Sequence, residues 1–235
     1  MTEAAARHYP EISAVLFDLD GTFADTAPDL GAALNHVLAL HHLPPLSIET
    51  TRLQASHGSA GLIKLGFNLT PESADFPALR DAFLAHYSAN ICKHTTLFPG
   101  MSELINKLEQ RGLPWGIVTN KPHRYTLPLM HALNYAERAA CLVSGDTCAH
   151  AKPHPEPLLH AARLIGVAPE NCLYIGDDKR DIQAGRAAGM KTLIALFGYI
   201  DPQADLASWQ ADASISTALE LLDHLSQEST PQPAR

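Results

Sequence analysis

A short apolar run, residues 12–17, stops at two carboxylates in Phe17-Asp18-Leu19-Asp20-Gly21-Thr22. Such a run reads as a strand buried on both faces, the usual condition of a parallel sheet. The C-terminal ends of such strands are where open α/β sheets bind ligands. Two acids delivered there suggest a nucleophile and a proton-transfer partner, with room for a metal. What those carboxylates need constrains the rest of the chain.

Similar β-branched or aliphatic runs recur at 115–119, 141–144, 172–175 and 192–196. Between the later ones the apolar residues follow helical spacing, as in Met101, Leu104, Ile105 and Leu108, or Leu158, Ala162 and Ile165. This alternation predicts an α/β fold: a Rossmann-like parallel sheet flanked by helices. Residues 26–96 break the pattern. They hold two helical stripes, Leu30, Leu34, Val37, Leu38, His41 and Phe76, Leu79, Phe83, Tyr87, Ile91. Asp25 and Thr26 are N-cap candidates with Pro28 in the first turn, Pro44-Pro45 closes the first helix, and 70–73 reads as a loop. The expectation is a helical cap domain inserted after the first strand and returning through Phe98-Pro99-Gly100. The expected division is an α/β core of 11–25 and 97–226, a cap of 26–96, and a flexible tail of 227–235. Two crossings between the same modules make a hinge.

The 235 residues are enough for a sizeable core. A net charge of −8 without any Lys/Arg run argues against nucleic acid. An anionic substrate must then be held by a local cation rather than by the global field. No run approaches about 18 apolar residues, and 1–10 carries no apolar signal core. The four cysteines, Cys92, Cys141, Cys148 and Cys172, form no CxxC pair. A cytoplasmic protein with reduced thiols and no membrane partner is expected.

Polar groups follow the other core-strand candidates as well. Thr119 and Asn120 close the second, and Gly176-Asp177-Asp178 follows 172–175 with Asp181 one helical turn on. Lys152 sits just before a helix in Ala151-Lys152-Pro153-His154-Pro155. In a parallel sheet these ends face one side and converge on one crevice. Asp18, Asp20 and Asp177 together would repel and protonate. A hard divalent cation with oxygen ligands resolves this, and Mg²⁺ suits because it keeps waters or a substrate phosphate. Thr119 and Asn120 offer donors to phosphoryl oxygens, and Lys152 a compact positive charge. A calcium loop starting at Asp18 fails, because its sixth and twelfth positions would be Phe23 and Asp29 rather than Gly and Glu. Cys141, Cys148, His150 and His154 match no structural zinc spacing.

Taken in order, these residues resemble the haloacid dehalogenase superfamily, specifically its phosphatases of the phosphoglycolate phosphatase type. Asp18-Leu19-Asp20-Gly21-Thr22 is similar to the first motif, Thr119-Asn120 to the second, Lys152-Pro153 to the third, and Gly176-Asp177-Asp178-Lys179-Arg180-Asp181 to the fourth. Leu43-Pro44-Pro45, Trp115-Gly116-Ile117-Val118-Thr119-Asn120-Lys121-Pro122, Lys152-Pro153-His154-Pro155-Glu156-Pro157-Leu158 and Phe197-Gly198-Tyr199-Ile200 resemble N-acetylmuramic acid 6-phosphate phosphatases within that group. The resemblance implies a Mg²⁺-dependent phosphomonoesterase acting on a small phosphorylated metabolite. Asp18 would be the nucleophile that becomes an aspartyl-phosphate, and Asp20 the general acid and base. The Asp18 and Asp177 side chains and the Asp20 backbone carbonyl would hold the metal. Thr119, Asn120 and Lys152 would hold phosphoryl oxygens, and Asp178 and Asp181 would orient metal-bound waters or Lys152. Asp178 stands where many relatives carry Ser.

In the cap, His57-Gly58-Ser59-Ala60-Gly61-Leu62 resembles a substrate-facing loop, with His57 or Lys64 meeting a carboxylate and Gly58 letting backbone approach; a helix N-terminus capped by Ser59 is the alternative. A phosphosugar mutase uses the same two aspartates, and free phosphate as product separates it from a phosphatase. A catalytically silent regulatory protein has no need of such crowded charge. The subunit count is open between monomer and homodimer.

Overall fold

The computed structural model describes Tyr9 and residues 11–225; the expected tail at 227–235 lies outside them. In chain order the chain forms β1 (Ala14–Phe17), a short β2 (Ala24–Asp25), the helices α1 (Ala27–Leu40), α2 (Ile48–Arg52), α3 (Gly58–Phe67) and α4 (Phe76–Ala89), and a short β3 (Thr96–Leu97). Then follow α5 (Met101–Gln110), β4 (Trp115–Val118), α6 (His123–Ala132), β5 (Cys141–Val143), α7 (Glu156–Ile165), β6 (Cys172–Gly176), α8 (Lys179–Ala187), β7 (Lys191–Ala195) and β8 (Ala213–Ile215).

Six strands form one sheet in the order β5-β4-β1-β6-β7-β8, and every pairing is parallel. β1 lies between β4 and β6, so the chain's progression across the sheet reverses there and opens a crevice at the strand ends. The pleat explains why β1 is apolar throughout. Val15 and Phe17 face one side with Trp115, Ile117 and the α5 residues Leu104 and Leu108. Ala14 and Leu16 face the other with Val118, Tyr174 and Leu158. Both faces are covered, so no residue of the strand can be polar.

The helices α1–α4 lie between β2 and β3, which pair antiparallel through Ala24 with Leu97 and Asp25 with Thr96. This helical module has its own core, built on Leu34, Val37, Leu62, Ile63, Phe83 and Tyr87, and Tyr125 and Tyr199 join it from the sheet side. The buried Asp29 carboxylate, in the first turn of α1, ties the two crossings. It accepts from the N–H groups of His94 and Thr95 and from Thr95 Oγ1 at 2.8–3.0 Å. α1 ends at Leu40, ahead of the two prolines. Thr26 takes its N-cap position, but its hydroxyl turns to Asp20 instead of capping.

The expected strands are present, with ends shifted by a residue or two. β8 and the 3₁₀ turn Ala218–His224 were not foreseen from sequence. β8 has three residues with an exposed serine at its centre, so it leaves no apolar run to read.

Phe23 anchors the loop that carries both leading acids. It is fully buried, stacks on Trp115 at 5.5 Å and meets the Tyr135 ring edge-on at 5.4 Å. Its N–H returns to the carbonyls of Asp18 and Leu19. Phe23→Ala is expected to lower the unfolding free energy by about 3–5 kcal/mol, read by denaturant titration. A loss below about 1 kcal/mol would show that the ring does not anchor the loop.

Candidate active site

Asp18 directly follows β1, Thr119 follows β4, and Asp177 follows β6. Phe17 is in register with Ile117 on one side and Ile175 on the other, so the three polar residues emerge within one layer. The Asp18 N–H continues the ladder to the Ile175 carbonyl at 2.9 Å. Gly21 then turns the chain with φ +87°, and a Cβ there would lie 2.2 Å from Asp177 Oδ2. Only glycine satisfies both the left-handed backbone and that close approach.

Lys152 is the buried cation of the site. Its Nζ donates to the Val118 carbonyl at 3.0 Å, the Tyr174 hydroxyl at 2.8 Å and Asp181 Oδ1 at 2.7 Å. It also lies 2.8 Å from Asp18 Oδ1. An ammonium has three protons, so these four oxygens compete for them. Asp18 Oδ1 is buried beside that charge and has no hydrogen bond of good geometry. The Lys152 loop is held by Asn120, whose Oδ1 accepts from the Lys152 N–H and whose Nδ2 donates to the Lys152 carbonyl, both at 2.9 Å. The Asn120 side chain thus positions Lys152, which leaves its backbone N–H as the donor it can offer to a ligand.

Asp177 accepts from Thr22 Oγ1 at 2.9 Å and from the Tyr199 N–H at 2.8 Å. Asp178 caps α8, accepts from the Arg180 N–H, and pairs with the Arg180 guanidinium at 2.8 Å. Asp181 closes the capping box through the Asp178 N–H and receives Lys152 on its other oxygen. Its geometry is therefore that of a residue orienting Lys152. Asp20 points elsewhere: its carboxylate accepts from Thr26 Oγ1 at 2.6 Å and from Lys121 Nζ at 2.9 Å. Lys121 was not singled out from the sequence. It is buried, and its ammonium sits 4.7 Å from the centre of the Tyr87 ring of α4. Its place directly after Thr119-Asn120 was the one available signal.

Burial pushes the Asp18 carboxyl up to about 7 despite the opposing Lys152 charge. Asp177 is raised well above the usual carboxylate range by burial and by the charges of Asp18 and Asp181. Carboxylate oxygens of Asp18, Asp177 and Asp181 lie within 4.8 Å of one another. All are hard oxygen donors, and the Asp18 oxygen without a hydrogen bond is available as a ligand. The residues fit a divalent cation coordinated by Asp18 and Asp177.

Above the strand ends lies a cavity of about 470 Å³ between sheet and helical module. Asp18, Asp20, Thr119, Asn120 and Lys152 line the sheet side. His57, Gly58, Arg80 and Tyr87 line the helical side. Gly58 opens α3, so the segment expected to face a ligand is itself a helix N-terminus. Lys64 is exposed and does not line the cavity. Arg180 Nη2 donates to the Ser56 carbonyl at 2.9 Å, tying α8 to the helical side. Among the described residues no helix is long and apolar enough to cross a membrane.

Residues 15–195 match the haloacid dehalogenase-like hydrolases, and the chain belongs to that family. It is 42% identical over 214 residues to an N-acetylmuramic acid 6-phosphate phosphatase of Pseudomonas aeruginosa, covering 91% of this chain and 95% of that protein. It is 43% identical over 220 residues to a phosphoglycolate phosphatase of Xanthomonas campestris pv. campestris, covering 94% and 98%. Among solved structures it is similar to a Haemophilus somnus protein described as a predicted phosphoglycolate phosphatase. That match has a TM-score of 0.80 and 25% identity, and covers 90% of this chain and 97% of the other.

The electrostatics give a stability signature. Folded and metal-free, Asp18 keeps its proton to about pH 7, whereas unfolded it ionises near 3.8. Between those values the unfolded state binds fewer protons, so unfolding free energy falls as pH rises. Asp177 acts in the same direction. Thermal denaturation of the metal-free protein should show this fall from about pH 4 to about pH 7, less of it in Asp18→Asn, and recovery on adding Mg²⁺. Equal slopes with and without the cation would count against a shared metal.

Proposed function

We propose that this chain is a Mg²⁺-dependent phosphomonoesterase that works through an aspartyl-phosphate on Asp18. The observation that supports it most is the Asp18 carboxylate, which lines the cavity and has its buried Oδ1 2.8 Å from Lys152. The adjacent ammonium favours the ionised form, and a carboxylate has one oxygen for the metal and one for phosphorus.

The Asp18 oxygen attacks phosphorus while the bond to the ester oxygen breaks. Asp20, steered by Thr26 and Lys121, gives the departing oxygen a proton. Asp20 then takes a proton from water, whose oxygen attacks the same phosphorus and frees both phosphate and Asp18. Thr119 Oγ1, the backbone N–H of Asn120 and Lys152 meet the equatorial oxygens. The Asp18 and Asp177 side chains and the Asp20 backbone carbonyl would hold Mg²⁺, which when bound offsets the repulsion between carboxylate and phosphoryl oxygens. Asp178 supports this centre indirectly, through Arg180.

The helical module serves as the cap that excludes water and reads the leaving group. Its relatives' names point to the phosphate ester of a small acid or sugar acid, such as 2-phosphoglycolate or N-acetylmuramic acid 6-phosphate. Four free cysteines are consistent with the reducing cytoplasm.

Asp18→Asn should abolish release of free phosphate from 4-nitrophenyl phosphate while leaving the melting curve cooperative. Asp20→Asn should slow it by about 10²–10⁴-fold. Chelation should stop turnover and added Mg²⁺ restore it. Near-normal phosphate release by Asp18→Asn would place the nucleophile elsewhere.

A further inference from the structure

Four Lys or Arg side chains line the cavity among the described residues: Arg80, Lys121, Lys152 and Arg180. Three are committed to carboxylates of the protein. Lys121 holds Asp20, Lys152 holds Asp18 and Asp181, and Arg180 holds Asp178. Arg80 has no carboxylate partner among the described residues. His57, the other basic group of the helical side, lies near the Asp178 carboxylate.

Arg80 is also placed by a helical ruler. Phe76, Arg80, Phe83, Leu84 and Tyr87 form the cavity-facing stripe of α4. Tyr87 marks the catalytic end of that stripe, because its ring lies under the ammonium that holds Asp20. Arg80 is seven positions earlier, about 10 Å along the helix axis. Both Cα–Cβ bonds tilt toward the helix N-terminus, and Arg80, exposed to solvent, lines the cavity on the side away from Tyr87. Between them Phe83 and Leu84 offer apolar surface, which suits a sugar ring or an aliphatic body.

We propose that Arg80 is the specificity-determining anchor for a substrate carboxylate remote from the phosphate. The inference rests on the phosphomonoesterase reading and narrows its substrate class to phosphorylated sugar acids. In phosphoglycolate, three bonds separate phosphorus from the carboxylate carbon, about 4 Å when extended. That is short against the helix-axis offset of about 10 Å between Arg80 and the catalytic end of α4. In N-acetylmuramic acid 6-phosphate the lactyl arm on C3 and the phosphate arm on C5 are separated by C4, and the ether link and the C6 methylene carry the two acid groups farther apart than in phosphoglycolate. A guanidinium fork then binds the acid in two-point fashion.

The test compares wild type, Arg80→Gln and Arg80→Lys on N-acetylmuramic acid 6-phosphate, N-acetylglucosamine 6-phosphate, phosphoglycolate and 4-nitrophenyl phosphate. The second ester is the same hexosamine without its acid arm. Wild type should prefer the first over the second in kcat/KM by about tenfold or more. Arg80→Gln should erase that preference mainly through KM for the acid, and Arg80→Lys should keep part of it. Phosphoglycolate should respond no more than the esters that lack a carboxylate. Two results overturn the inference while leaving the phosphatase reading intact: no preference in wild type, or a preference that survives in Arg80→Gln. Failure of wild type to hydrolyse any of the four esters removes the phosphatase reading and this inference with it.

Discussion

Three buried carboxylates gathered within 4.8 Å of one another, two of them paired with one ammonium, are the constraint around which the molecule is arranged. Asp18 and Asp177 would each prefer their proton in so dry a place. Lys152 offsets part of that, and the surrounding hydrogen bonds keep it in position. The Val118 carbonyl, the Tyr174 hydroxyl and Asp181 occupy its protons, and Asn120 fixes its loop from both sides. These partners come from β4 and the loop after it, from β6 and from α8, while Lys152 itself sits before α7. The arrangement therefore exists only when β1, β4 and β6 lie side by side. A residual negative charge remains after Lys152 is counted, and a divalent cation is the simplest physical remedy.

Much of this was legible before any coordinates. β1, β4, β5, β6 and β7 each left a short apolar run, and those of β1, β4 and β6 end at chemistry-bearing residues. The helical insertion announced itself by the loss of that alternation and by stripes at helical spacing. What stayed hidden is what depends on tertiary direction rather than on local pattern. Lys121 reads as one more residue of a helix entry until its ammonium is seen beside Asp20. Thr26 reads as a cap, yet its hydroxyl bonds Asp20. Asn120 reads as a ligand donor, yet its amide clamps a loop 32 positions away. Lys64 and Arg80 are equally plausible cations on paper. Only the rotation of α3 and α4 about their axes decides which of the two reaches the cavity. β8 escaped because three residues with an exposed centre carry no period.

Helical module and sheet communicate through polar contacts that involve the site's own acids. Ser56 Oγ reaches Asp177, and its carbonyl receives Arg180, which is paired with Asp178. Beside them Arg52 forms a two-point pair with Asp25, whose carboxylate also accepts from the Tyr199 hydroxyl. The Tyr199 N–H in turn donates to Asp177. The acids next to the strand ends therefore register how the helices sit above them.

The Asp29 carboxylate joins the outgoing and returning crossings immediately beyond the β2–β3 ribbon. Two strands bonded to each other and stapled at their tip cannot bend independently. Both partners of that staple lie on the helical side of the ribbon, so the outgoing and returning connections leave the sheet as one bonded unit rather than as two separate strands.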